Sequence, residues 1–111
     1  MITVLSYFPG NKVTLFLEVV DGYGRVNSIT TPQIDGILLP TFTAAPGYPQ
    51  PMSQLDIGLY YYQFVLPQGA SAVGSYLVEA SYTYQDGYVN SQLYQIVVLA
   101  PFGNFSTTVV G

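Results

Sequence analysis

The stretch Leu66-Pro67-Gln68-Gly69-Ala70-Ser71-Ala72-Val73-Gly74-Ser75-Tyr76-Leu77-Val78-Glu79-Ala80 decides how this chain folds. A strand closes at Leu66, Pro67 and Gly69 break it, and Gly74-x-Tyr76 opens a segment in which inward and outward residues alternate. In two-sheet β-sandwiches, a tyrosine at the start of the strand after such a corner turns its hydroxyl back onto the corner's own backbone. Tyr76 takes that place, and its hydroxyl is expected on the backbone of residues 67–73.

Outward from the corner, helical periodicity is absent, and Gly and Pro recur at the spacing of an all-β sandwich. Downstream, Tyr76, Val78, Ala80 and Tyr82 face inward, opposite Ser75, Glu79, Ser81 and Thr83. Asp86-Gly87 then reads as a type I′ hairpin turn into a last strand from about Tyr88 to Leu99. Upstream, residues 2–8 form a first strand closed by Pro9-Gly10-Asn11, and residues 12–20 a second, with Val13, Leu15, Leu17 and Val19 on its inner face. Asp21-Gly22-Tyr23-Gly24-Arg25 is a turn, and a third strand spans 33–39. Residues 39–55 carry Pro40, Pro46, Pro49 and Pro51 and no charge, so they form an edge strand at best. Asp56-Ile57-Gly58 leads into Leu59 to Leu66, where Tyr60, Tyr62, Phe64 and Leu66 alternate with Leu59, Tyr61, Gln63 and Val65. These segments predict one domain over 1–99, with about seven strands. Strands one, two, four and five are expected in one sheet and three, six and seven in the other.

Charge is the unusual quantity. Only Glu18, Asp21, Asp35, Asp56, Glu79 and Asp86 are acidic and only Lys12 and Arg25 basic, so 7% of residues are charged and the net charge is −4. A folded monomer of this mass exposes roughly 6,000 Å², and eight charges cover that thinly. Either Ser, Thr, Asn, Gln and Tyr carry the surface, or much of it is buried against other chains. Two isolated cations do not make a nucleic-acid or anionic-membrane surface. The start, Met1 to Phe8, lacks a basic leader region and meets Pro9-Gly10 too early for a membrane span, so the initiating Met is expected to begin a complete reading frame.

Chemistry finds little to work with. There is no Cys and no His, hence no thiolate, imidazole base or disulfide, and a Ser-Lys pair would have to use Lys12 at the start of a strand. No catalytic residue is assigned. A glycosidase needs two carboxylates about 5 to 9.5 Å apart across a cleft. Asp56 with Glu79 or Asp86 would be the candidates, although Asp beside Gly ordinarily caps a turn. Asp21, Asp35, Asp56 and Asp86 lie on or near turns but form no Asp-x-Asp ladder, so no metal and no cofactor is expected. Eleven tyrosines remain, and Tyr60-Tyr61-Tyr62 must place rings on both sides of one strand. Tyr61 therefore points away from the core. It serves either in cross-strand aromatic pairing or as an interface anchor.

The Gly74-x-Tyr76 corner, Asp56-x-Gly58-x-Tyr60, and Lys12-Val13-Thr14-Leu15-Phe16-Leu17-Glu18-Val19 after Pro9-Gly10 together resemble bacterial and phage immunoglobulin-like domains over residues 9–99. The resemblance implies an immunoglobulin-like antiparallel β-sandwich, with Gly58, Tyr60, Gly74 and Tyr76 as fold-defining residues. A short, charge-poor, Tyr-rich sandwich is similar to small structural proteins of tailed-phage virions. That likeness implies a non-enzymatic subunit located in the virion, as a capsid decoration or cement protein or a neck, tail or fibre component. Its partners would be other virion structural proteins or copies of itself. The alternative is a secreted carbohydrate-binding or adhesin module using exposed tyrosines.

Residues 100–111 form an extended C-terminal tail in this reading, apolar and β-prone without one charge. Phe102, Phe105, Val109 and Val110 join Tyr61 as interface candidates, because such a segment aggregates unless it is docked, either as a strand or anchor on a neighbouring subunit or partner or, in the alternative, folded back over its own core.

Overall fold

The computed structural model describes residues 2–100. The tail with Phe102, Phe105, Val109 and Val110 lies outside the described residues. The strands are β1 (Ile2–Tyr7), β2 (Lys12–Glu18), β3 (Val20–Asp21), β4 (Gly24–Arg25), β5 (Gln33–Leu38), β6 (Gln50–Pro51), β7 (Ser53–Asp56), β8 (Leu59–Val65), β9 (Gly74–Thr83) and β10 (Val89–Val98). One sheet runs β1-β10-β9-β5-β6, the other β2-β8-β7, and β3 and β4 make a small separate hairpin. This is an immunoglobulin-like β-sandwich, because the last strand, the strand before it and the third long strand are neighbours in one sheet while the second long strand pairs the fourth in the other.

The sheets face each other through the residues that alternate inward. Val13, Leu15 and Leu17 of β2, with Val19 just beyond it, meet Val78 and Ala80 of β9 and Tyr94, Ile96 and Val98 of β10, all buried. In β5 the buried residues are Ile34 and Ile37, three apart, which a regular strand would put on opposite faces. A register shift between Ile34 and Gly36 resolves this: Asp35 is left unpaired, and the phase of the strand flips so that both isoleucines reach the core.

Three expectations are corrected. The first strand is not in the sheet of the second: β1 pairs parallel to β10, from Ile2 opposite Leu93 to Tyr7 opposite Val98. Pro9 and Gly10, with φ +79° at Gly10, turn the chain from one sheet to the other, so β1 closes one sheet edge and leaves β2 as the edge of its own. The sandwich is therefore antiparallel except at this pair. Second, Asp86-Gly87 is not a two-residue type I′ turn. Tyr84 and Tyr88 still pair, Gly87 N–H donates to the Tyr84 carbonyl at 2.9 Å, and only Gly87 has positive φ, which describes a three-residue loop. Third, the second strand ends at Glu18: Val19 N–H still reaches the Gly58 carbonyl at 2.8 Å, but the Val19 carbonyl accepts from Val26 N–H at 2.9 Å, and Val20–Asp21 pairs with Gly24–Arg25. The Pro-rich 39–55 segment holds two edge strands, the end of β5's sheet at β6 and the end of β8's at β7.

Candidate assembly surface

The scaffold under the surface is held at two points. At the corner, a single 3-10 turn, Ala70–Ala72, presents the Ala72 carbonyl, and the buried Tyr76 hydroxyl donates to it at 3.1 Å. Burial raises the Tyr76 phenol above its ordinary value. Gly74, at φ +140°, lets β9 start against Pro40, whose Cβ a side chain would meet at 2.8 Å. At the opposite turn, Gly58 has φ +66° and lies so close to the Val19 and Val26 carbonyls that a Cβ would sit 2.8 and 2.7 Å from them. Its N–H donates to Asn27 Oδ1 at 2.9 Å. Tyr60, buried, accepts the Ser28 N–H at 3.0 Å. Ser28 in turn bonds Thr83, which ties the loop after β4 to β9.

The acidic residues are spread over the molecule. Asp21 Oδ1 accepts from Tyr23 and Gly24 N–H within its own turn, and Asp86 Oδ1 accepts from Tyr88 N–H. Asp56 accepts from Ile57 N–H and pairs with Arg25 at 3.1 Å in an exposed ion pair. Among the described residues no three His, Cys, Asp or Glu side chains gather to hold a metal ion. No helix among them is long and apolar enough to cross a membrane.

The outer face of the five-stranded sheet is different in kind. Its outward residues align in rows across the strands: Gly36, Glu79, Leu93 and Ile2 in one, Leu38, Leu77, Gln95 and Val4 in the next. Leu77, Leu93, Ile2 and Val4 are 41, 38, 48 and 58% exposed, an apolar band on a sheet side that normally carries charge. Because Gly36 has no side chain, the band sinks into a shallow depression of about 280 Å³ between Leu38, Leu77 and Leu93. The bulge turns Asp35 to its rim, where Gln33 Nε2 and Ser81 Oγ donate to it at 2.7 and 2.9 Å. Glu79 adds a second negative charge and no cation lines the depression.

A second depression of about 440 Å³ shares Leu38 and Leu77 and extends to Phe42 and Val73. Phe42 is 84% exposed and is the one non-glycine residue with positive φ, at +63°, among the described residues. A left-handed backbone is strained for a bulky side chain. The turn enforces it through Leu39 N–H to the Thr43 carbonyl and Phe42 N–H to the Leu39 carbonyl, both 2.8 Å. The ring thus stands out beside the apolar band. Sequence reading passed over both Phe42 and the band, because alternation says which residues leave the core without saying which of them become neighbours.

Tyr61 lies on the outer face of the other sheet, half-buried and outside the core, with Phe16 as its register partner on one side and Ser53 on the other. Tyr60, Tyr62 and Phe64 pack inward, and Tyr48 meets Tyr62 edge-on with their hydroxyls 2.9 Å apart.

No protein-family model matches the chain. No curated protein matches it either. Among solved structures it is similar to the crystal structure of the ZIG-8 IG1 homodimer, at 15% identity and a TM-score of 0.44, over 89% of this chain and 80% of that one.

Proposed function

We propose that the protein is a non-enzymatic assembly subunit that works by protein–protein contact through the outer face of its five-stranded sheet. The observation that carries this is the apolar band of Ile2, Val4, Leu93, Leu77 and Leu38, broken only by Glu79 and Gln95 in its two rows, with Phe42 standing exposed beside it. Such a band resembles an interface centre, where charge is depleted and an aromatic anchor concentrates the binding energy. The absence of His and Cys from the sequence is in keeping with a protein that binds rather than catalyses. The setting we propose is a virion, as a decoration, neck, tail or fibre subunit, supported by the low charge and by the resemblance of the Gly74-x-Tyr76 and Asp56-x-Gly58-x-Tyr60 motifs to phage immunoglobulin-like domains.

Mass spectrometry of purified particles tests the setting, and Phe42→Ala together with Leu77→Glu tests the surface. Incorporation into particles should be lost in the double variant while its unfolding midpoint stays within a few degrees of the parent. Fully exposed Tyr23 favours a second reading, the glycan-binding module. Glycan binding by an isolated monomer, lost in Tyr23→Ala, would establish that reading instead.

A further inference from the structure

Among the described residues, four strands bound the two sheets: β1 and β6 end one, β2 and β7 the other. An edge is a row of unpaired backbone groups that pairs with any extended chain unless something blunts it. β6 is two residues long and contains Pro51. β7 carries Asp56 and a register shift between Gln54 and Asp56. β2 carries Lys12 and Glu18 and has its Phe16 carbonyl covered by the Tyr94 hydroxyl at 2.6 Å. β1 has none of these devices.

Ile2-Thr3-Val4-Leu5-Ser6-Tyr7 contains no charge and no proline, and its register with β10 is unbroken over six residues. Leu99 N–H donates to the Tyr7 carbonyl at 3.0 Å, so Tyr7 turns its backbone toward β10, and by alternation so do Leu5 and Thr3. The N–H and C=O groups of Ile2, Val4 and Ser6 therefore line the open side. Residues 101–111 supply a segment of matching character: Phe105-Ser106-Thr107-Thr108-Val109-Val110 is also six residues, uncharged and free of proline, with four β-branched residues in a row.

We infer that residues 105–110 of a second copy of this chain add as a strand to the open edge of β1, extending the five-stranded sheet to six. This rests on the assembly reading above and names a donor and an acceptor for it. A second copy is favoured over the chain's own segment by the connections. The described chain ends at Ala100, just beyond the Leu99–Tyr7 hydrogen bond, and Phe8–Asn11 leaves β1 at that same end to enter β2. A segment folding back onto its own β1 would have to pass around that exit, whereas connections avoid crossing at one end of a sheet. A segment arriving from another molecule meets no such obstacle.

The test uses the full chain, a chain lacking residues 101–111, and Ser6→Pro. Proline at position 6 removes an N–H on the open side, outside the apolar band that Val4 joins, and leaves the ladder to β10 intact. Val4→Pro, which also alters that band, is read only beside it. Light scattering should show the full chain associating, and the truncated and proline chains each monomeric with unchanged urea midpoints. Mixing the truncated chain with a proline variant should restore a one-to-one complex, since one keeps the acceptor and the other the donor. Association that survives in either single variant overturns the inference and leaves the outer-face reading standing. A full chain that is monomeric throughout, with a midpoint that falls on truncation, places the segment on its own domain and also overturns it. Incorporation into particles judges the outer-face reading separately.

Discussion

The Tyr94 hydroxyl spans the sandwich from β10 and donates to the Phe16 carbonyl on the free edge of β2 at 2.6 Å. Tyr7 makes a longer contact of the same kind, its hydroxyl accepting from Thr14 N–H at 3.4 Å. Moving β1 to the other sheet exposes this edge, and core tyrosines from that other sheet reach across to cover it. The arrangement explains why Tyr suits positions 7 and 94 better than Phe: the ring fills the core and the hydroxyl ends at an orphaned backbone group.

Tyr94→Phe should therefore destabilise by about 1 kcal/mol, the usual net worth of a partly buried hydrogen bond. Urea unfolding measures it. The substitution should also raise the aggregation rate, because the Phe16 carbonyl is returned to an open edge. An unchanged midpoint together with unchanged solubility would show that the bond contributes nothing.

Alkaline pH should unfold the protein through the same residue. Burial pushes the Tyr94 phenol up to about 12. Tyr48 is raised as well, by burial first and then by the Tyr62 hydroxyl beside it. A raised folded-state value means that the fold prefers the neutral phenol. Its stabilising effect is complete below the unfolded value near 10 and is lost as pH climbs toward 12. The urea midpoint should hold from pH 7 to about 9 and fall between about 10 and 12, with a shallower fall in Tyr94→Phe.

Tyr76→Phe leaves the Ala72 carbonyl without its buried donor and should cost about 1 to 3 kcal/mol. Association should be unaffected, because Tyr76 is buried under the corner, away from the outer face. A shift in light-scattering mass with no shift in midpoint would contradict that assignment.

Gly58→Ala should be severe, costing about 3 kcal/mol from the left-handed backbone and the displaced carbonyls together. Gly22→Ala is the control, since a Cβ there meets nothing within 4 Å, and it should change stability by less than about 0.5 kcal/mol. Thermal unfolding of the pair decides it, and equal midpoints would show that the turn at Gly58 relaxes freely.

Much of the sandwich was legible along the chain. Val13, Leu15, Leu17 and Val19 alternate, and a two-residue period leaves one solution for which face is buried. The four prolines of 39–55 marked the edge region because a missing N–H is a local property. Where two partners must be known at once, the chain alone was silent. β1 alternates equally well in either sheet, and only its parallel register beside β10 assigns it. The loop at Asp86-Gly87 depends on how β9 and β10 align, which a dipeptide does not specify.

The sequence by itself determined the fold class, the Tyr76 corner, the turn at Gly58 and the lack of thiol and imidazole groups, since each follows from the identity of residues and their near neighbours along the chain. Only the tertiary structure decided that Ile2, Val4, Leu93, Leu77 and Leu38 form one band, that Phe42 stands exposed beside it, and that β1 ends its sheet among the described residues. These are relations between residues up to 91 positions apart, Ile2 to Leu93. They are set by which strand edges meet once both sheets have closed over the core, and strand periodicity carries no record of that choice.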